Sequence, residues 1–209
     1  MRQQTIKRWS YLILGLICFG AGVALMVRAN LGLSPWEILH QGISEQTGIP
    51  IGTVSILLGV PILLAWLPLG QRPGWGTLVN IILIGLVTNL VLAALPPPAG
   101  LAPRALLMVG GILVIGVGSG LYLTAEMGAG PRDGLMLGLA RRSGWSVRLI
   151  RTLLEVAVLA CGWLLGGTIG VGTLAFAFGI GPVVQAALRI FQRSNARTLA
   201  RSSARPSST

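Results

Sequence analysis

Acidic and polar residues able to bind a solute or an ion lie in two matched segments of the chain, 32–48 and 128–144. Glu37 and Asp133 occupy equivalent positions, because each lies five residues after the glycine that opens its segment. Their carboxylate oxygens can accept hydrogen bonds from a polar solute or bind a cation. The candidate binding residues are Asn30, Ser34, Glu37, His40, Glu126, Arg132 and Asp133.

The first segment also has a purely structural interpretation. Ser34 and Glu37 have the spacing of a capping box, with a proline at the first helical position between them. The pattern predicts a short helix at 35–44 and a copy at 131–140. Glu37 and Asp133 then either cap these helices at their positive ends or face a binding site where the two helices meet.

Other polar side chains fall inside apolar stretches. Glu155 follows Arg151 by four residues, which places opposite charges on one helix face and predicts either an ion pair or a gate. Asn80, Asn89 and Gln185 either join helices by hydrogen bonds or line a pathway. His40 is the sole histidine, so no metal site and no cofactor are expected.

An internal duplication relates the two segments. Positions 96 residues apart match without a gap over roughly 70 residues, a pattern typical of a repeated structural unit. The repeat extends beyond the segments in both directions. Matching positions are Gly20 with Gly116, Gly22 with Gly118, Pro35 with Pro131, Gly48 with Gly144, Gly74 with Gly170, and Gly85 with Gly181.

The composition indicates a polytopic membrane protein. Of 209 residues, 53% are hydrophobic and only 10% are charged, against about 25% charged in soluble domains. Several uncharged blocks are 19 residues long, enough for a helix of about 28 Å that crosses a bilayer. The sequence predicts an all-α fold with spans at about 9–27, 51–69, 77–95, 105–124, 147–165 and 172–191.

Three spans in each copy require the two halves to be inverted relative to each other. With the N-terminus in the cytoplasm, 14 of the 16 Lys and Arg fall on the cytoplasmic side, as the positive-inside rule expects. Gly52 and Ser55 in the first half become Arg148 and Arg151 in the second, as inversion requires. The short helices are too short to span, so each either re-enters the membrane or lies at its surface.

The predicted organisation is therefore two repeats, 1–95 and 104–191, joined by a proline-rich linker at 96–103. Residues 192–209 read as a disordered basic tail on the cytoplasmic side. The net charge of +11 comes from basic residues that flank the apolar stretches, as membrane topology requires. The sequence contains no motif for reading a nucleic-acid groove, so nucleic acid is not an expected partner. The expected partners are the lipid bilayer and anionic lipid headgroups, the latter through Arg193, Arg197, Arg201 and Arg205.

One set of motifs resembles a known family. Gly32-x-Ser34-Pro35-Trp36-Glu37, then Thr47-Gly48 and Arg72-Pro73-Gly74-x-Gly76-Thr77-Leu78-x-Asn80, is similar to the bacterial YczE/YitT-type integral membrane proteins, in particular the YczE branch. The resemblance implies a small polytopic protein of the bacterial cytoplasmic membrane and supplies no substrate. It also implies an acidic residue near the end of the third span, where this chain has Asn89.

Two functions remain open from the sequence. An inverted repeat with interrupted elements favours a secondary transporter or facilitator for a small polar solute or ion. Six compact spans and a basic tail are also compatible with a non-transporting component that binds or stabilises a partner protein. No P-loop, nucleophile elbow or zinc-protease motif is present, so the chain is not expected to be an enzyme.

Overall fold

The computed structural model describes the backbone of residues 2–203 and the side chains of residues 4–192. Within 2–203 all regular secondary structure is helical, in agreement with the predicted all-α class. The helices, in chain order, are α1 (Arg2–Ala29), α2 (Pro35–Thr47), α3 (Ile51–Trp66), α4 (Trp75–Ala94), α5 (Leu101–Thr124), α6 (Pro131–Ser143), α7 (Val147–Leu164) and α8 (Val171–Ser203).

Four of these helices are long and apolar enough to cross a membrane by themselves. They are α1 from Gln4, α4, α5, and α8 as far as Gln192. Helices α2 and α3 form a bent pair, 112° apart, that counts as a fifth crossing if it is one broken span. The molecule is thus a helical membrane protein with four or five candidate spans.

Two predicted spans differ from what the structure contains. The span predicted at 51–69 is a 16-residue helix, shorter than a bilayer needs, because the chain leaves the helix at Trp66. The span predicted at 147–165 is helical, but Arg148, Arg151 and Glu155 make it too polar to count as a span by composition.

The predicted disordered tail also differs from the structure. Helix α8 continues past 191 to Ser203, because the Asn195–Arg201 segment is rich in alanine, arginine and leucine, which favour helix. Residues 204–209 of the predicted tail lie outside the described residues. The anionic-lipid prediction for Arg193, Arg197, Arg201 and Arg205 concerns side chains outside the described set.

Helices α1 and α5 form the centre of the bundle and run antiparallel. They approach so closely that a Cβ atom added at Gly15 would meet the backbone at Gly118, and one added at Gly22 would meet the backbone at Gly111. The two contacts are equivalent under the repeat. Gly111 is the copy of Gly15 and Gly118 is the copy of Gly22, each 96 residues later, so each contact pairs the first-half residue of one match with the second-half residue of the other. Small residues at these positions are what lets the two backbones pack.

The outer helices repeat the same relation. Helix α4 packs along α1 and α8 packs along α5, while α2 packs on α7 and α3 on α6. Gly76 N donates to the Met127 carbonyl at 3.0 Å, and Gly172 N donates to the Leu31 carbonyl at 2.7 Å. These hydrogen bonds again exchange roles at the 96-residue offset. The predicted duplication therefore recurs in the contacts, and the two halves surround a common centre.

Candidate functional site

The N-termini of the two short helices, α2 and α6, meet inside the bundle. Each begins at a proline and ends at a left-handed glycine, Gly48 with φ 72° and Gly144 with φ 74°. Across the gap between them, Arg132 Nη2 lies 2.7 Å from Glu37 Oε1. Only 9% of the Glu37 side chain is exposed, so this ion pair is largely shielded from solvent.

Arg132 has a second partner in Trp36. Its guanidinium carbon lies 5.0 Å from the centre of the Trp36 ring, within the range of a cation–π contact. Trp36 and Arg132 occupy equivalent positions of the two repeats, so this contact also lies between the matched helix ends. The guanidinium is held between a carboxylate and an aromatic face.

The capping box predicted at α2 is not formed. Ser34 is the N-cap residue, as predicted, but its side chain makes no capping hydrogen bond. The glutamate half of the box is lost because the Glu37 carboxylate pairs with Arg132 of the other half. At α6 the N-cap residue is Gly130, which has no side chain to cap with.

A cavity of about 200 Å³ lies where α2 and α6 meet. Most of its wall consists of residues that match across the repeat, so the cavity is shared between the halves. The matched lining pairs are Phe19 with Ile115, Ser34 with Gly130, Pro35 with Pro131, Trp36 with Arg132, Glu37 with Asp133, His40 with Met136, Ser55 with Arg151, Gly59 with Glu155, and Asn80 with Phe176.

Several polar residues in this wall are buried and, within residues 4–192, have no hydrogen-bond partner for their side chains. Ser34, His40 and Asn80 are 5%, 3% and 8% exposed, and among the described side chains none of the three is hydrogen-bonded through its side chain. The Trp36 Nε1 atom is itself fully buried without a partner in the described part of the chain, whereas the polar atoms of Ser34, His40 and Asn80 keep some access to the cavity. Buried polar groups are normally hydrogen-bonded, so this wall is suited to a polar molecule that supplies the missing bonds.

The charged groups of the cavity are unevenly paired. Arg132 pairs with Glu37, and Arg151 Nε lies 2.9 Å from Glu155 Oε1 on an exposed part of α7. Within the described part of the chain, Asp133 has neither an ion pair nor a hydrogen bond. Its carboxyl group lines the cavity close enough to Arg132 and Arg151 to interact with both electrostatically, and it is available to a ligand.

The structure brings most of the predicted site residues together. Seven line the one cavity: Ser34, Glu37, His40, Arg132, Asp133, Arg151 and Glu155. Arg151 and Glu155 form an ion pair, and both line the cavity. A gate formed by these two residues would therefore lie in the cavity wall.

Two predicted residues lie elsewhere. Asn30 and Glu126 do not line the cavity, because they are the left-handed residues that end α1 and α5, with φ of 48° and 52°. The Asn30 side chain approaches Thr168 at 3.4 Å, and the Glu126 carbonyl accepts a hydrogen bond from Arg8 at 2.5 Å. Asn30 and Glu126 therefore match across the repeat because they end equivalent helices.

Sequence reasoning missed the aromatic part of the wall. Phe19, Trp36, Tyr122 and Phe176 line the cavity, and none was a candidate. Asn80 was left open between helix contact and pathway lining, and it lines the cavity. Applying the 96-residue offset to each candidate would have found Trp36 through Arg132, since the two positions are equivalent.

No group of three or more histidine, cysteine, aspartate or glutamate side chains that could hold a metal occurs in the described part of the chain. The prediction that no metal or cofactor is bound stays a prediction. The lining of the cavity combines carboxyl, guanidinium, hydroxyl, amide and imidazole groups with aromatic rings.

Comparison with known proteins agrees with the resemblance read from the motifs. The pattern of a family of unknown function (DUF6198) matches residues 6–189. An "Uncharacterized protein" of Haemophilus influenzae is 45% identical over 90% of this chain and 86% of its own. The "Uncharacterized membrane protein YczE" of Bacillus subtilis is 33% identical over 90% of this chain and 88% of its own. No solved structure matches.

Proposed function

The chain belongs to the DUF6198 family, and we propose that it is a small secondary transporter or facilitator for a polar solute or ion. The observation that carries the proposal is the cavity at the meeting point of α2 and α6, with its buried polar groups that lack protein partners. Transporters built from inverted repeats place their sites between interrupted helices of this kind.

The membrane arrangement belongs to the same proposal. Helix α1, α3 lengthened by the turn at 67–70, and α4 form three crossings in the first half, and α5, α7 and α8 form three inverted crossings in the second. The antiparallel pairing of α1 and α5 supports this, as do the contacts that recur with exchanged roles. Both termini lie in the cytoplasm, and the membrane is the bacterial inner membrane. The arginine distribution supports that orientation.

In this mechanism the short helices re-enter from opposite sides and present their N-terminal ends to the solute. Asp133 binds a positively charged or hydrogen-bond-donating part of the solute, and Ser34, His40 and Asn80 complete its hydrogen bonds. Arg132 ties the halves together through Glu37 and closes one side of the cavity. No nucleotide site is present in the sequence, so a gradient of the solute or of an ion drives movement.

Replacement of Asp133 by Asn tests this function. The full chain is reconstituted in vesicles, and uptake is measured for guanidinium, glycine, phosphate and erythritol, which represent a cation, a zwitterion, an anion and a neutral solute. We expect at least one of them to enter through the wild-type protein, and Asp133→Asn to slow that entry at least about tenfold, since a charged hydrogen bond is lost.

Glu126→Gln is the matched control, because Glu126 is an acid of the same repeat that lies outside the cavity. It should leave uptake unchanged. If no solute enters faster than into protein-free vesicles, or if Asp133→Asn transports normally, the transport proposal is wrong. A protein that copurifies in mild detergent would then favour the alternative, a component that stabilises a partner.

A further inference from the structure

The two halves differ in how their last two helices pack. In the first half, α3 lies tightly against α4, with Gly52 N donating to Asn89 Oδ1 at 2.9 Å and Asn89 Nδ2 donating to Thr53 Oγ1 at 2.9 Å. A Cβ atom at Gly52 would collide with the Gly85 carbonyl. This contact therefore depends on glycine at position 52.

In the second half the corresponding contact is missing. Helix α7 packs on α2 and α6 and has no comparable contact with α8. The α8 positions that correspond to Gly85 and Asn89 are Gly181 and Gln185, and both are exposed. A Cβ atom added at Gly181 would have no neighbour within 4 Å. A cleft therefore separates α7 from α8.

The sequence explains why this cleft cannot close as the first half does. Arg148 stands where the first half has Gly52, and Glu155 stands where it has Gly59. Both glycines are in tight contact with α4, Gly59 against Ile81. Side chains as large as arginine and glutamate do not fit at such positions, so the cleft is built into the second half.

The cleft joins a charged rim to the central cavity. Arg151 and Glu155 of α7 and Phe176 of α8 line the cavity, so the cavity reaches both helices that border the cleft. At the rim, Arg148 has no ion pair or side-chain hydrogen bond among the described residues. Arg141 and Arg142 lie in the last turn of α6, seven and six residues before Arg148, and Arg142 Nη1 donates to the Pro68 carbonyl at 2.8 Å. The outer face of α8 carries exposed apolar side chains, among them Leu174 and Phe178.

We propose that this cleft binds an anionic phospholipid. Its phosphodiester headgroup lies at Arg148, with the exposed Arg141 at the end of the preceding helix as a second positive charge, and one acyl chain runs along the apolar face of α8. An unpaired arginine and an exposed glutamine are costly beside hydrocarbon, and a phosphodiester supplies acceptors to both. Basic pockets between membrane helices characteristically hold such headgroups.

A second copy of the chain is a poorer occupant of the same cleft. In a twofold dimer through this face, the partner would bring its own Arg141, Arg142 and Arg148 to the rim, where like charges repel. The phospholipid brings the opposite charge. This inference depends on the chain being a membrane protein and does not depend on transport.

Native mass spectrometry of the full chain tests the lipid site. The detergent-solubilised protein is mixed with phosphatidylglycerol or with phosphatidylcholine of identical acyl chains. The detergent is then removed in the mass spectrometer, and the lipids that stay bound are counted. We expect one phosphatidylglycerol to be retained in preference to phosphatidylcholine. Arg148→Gln should weaken its retention about fivefold, the effect of one arginine near an anionic surface. Gly181→Trp should remove it by filling the cleft.

The chain provides matched controls for both variants. Arg72→Gln removes an exposed arginine outside the cleft, and Gly110→Trp adds the same bulk on α5, where a Cβ also has no neighbour within 4 Å. Neither should change lipid retention, and inorganic phosphate should not displace the lipid.

Three results would overturn the inference: equal retention of both lipids, equal losses in the controls, or displacement by phosphate alone. A dimer that Gly181→Trp converts to a monomer, with lipid retention unchanged, would assign the cleft to a second copy.

Discussion

At the scale of single residues, the two halves meet through Arg132. It is 2.7 Å from Glu37 and lies over the Trp36 ring, so one side chain of the second half is held by two of the first. The sequence identified Glu37 and Arg132 as candidates, because polar residues at matched positions are conspicuous in an apolar chain. It did not predict that they pair, since a capping box at Ser34 accounts for the same pattern locally. The deciding contact is between residues 95 positions apart.

Replacement of Arg132 by Gln should destabilise the protein by about 2 kcal/mol or more, because it leaves the buried Glu37 carboxylate unpaired. The double variant Glu37→Gln/Arg132→Gln should lose less stability than Arg132→Gln alone. Unfolding in a denaturant titration measures both effects.

Arg151→Gln is the matched control for that measurement. It breaks the other ion pair of the cavity, whose arginine side chain is 62% exposed, and it should cost under about 1 kcal/mol. An Arg132→Gln variant as stable as Arg151→Gln would contradict the structural role given to the shielded pair.

At the scale of elements, glycines determine where the short helices lie. The predicted helices 35–44 and 131–140 each extend three residues further, to Thr47 and Ser143, and end at the left-handed Gly48 and Gly144. Those glycines were visible in the sequence, so the helix ends were predictable. The packing of α6 on α3 was not, because it depends on Gly134 lying against the ring of Trp66, far along the chain.

Gly134→Ala should destabilise the protein by about 1 to 3 kcal/mol, as overpacking does in a close-packed core. A methyl group at Gly134 would overlap the Trp66 ring, which is 2% exposed and is anchored by its Nε1 hydrogen bond to the Pro131 carbonyl at 3.0 Å. Thermal unfolding in detergent provides the measurement.

Gly110→Ala serves as the comparison, because it lies in helix α5 with open space beside it. Alanine there should be neutral or stabilising, since it favours helix over glycine by up to about 1 kcal/mol. If Gly134→Ala were also neutral or stabilising, the close packing of α6 on α3 would be wrong.

At the scale of the whole molecule, the 96-residue repeat predicted more than any single motif did. It anticipated matched helices, matched glycines at their ends and a centre shared by the two halves. It did not anticipate where the halves differ. The three charged residues of α7, Arg148, Arg151 and Glu155, keep it from qualifying as an apolar span. Two of them, Arg148 and Glu155, replace the glycines that let the first half close, which leaves the cleft beside α8. Duplication thus explains the common fold, and the substitutions within it explain the asymmetry.

Membrane topology tests the inverted arrangement most directly. Thr47 and Ser143 are equivalent, exposed residues whose hydroxyls donate to the carbonyl four residues earlier, at 2.7 and 2.8 Å, so cysteine at either position is a mild change. Each is introduced alone after Cys18 and Cys161 are replaced by serine. Intact cells are then treated with a membrane-impermeant thiol reagent. Inverted halves predict that the Thr47→Cys protein is labelled from outside and that the Ser143→Cys protein is labelled only after the membrane is opened. Labelling of both from the same side would contradict the arrangement on which the proposed site depends.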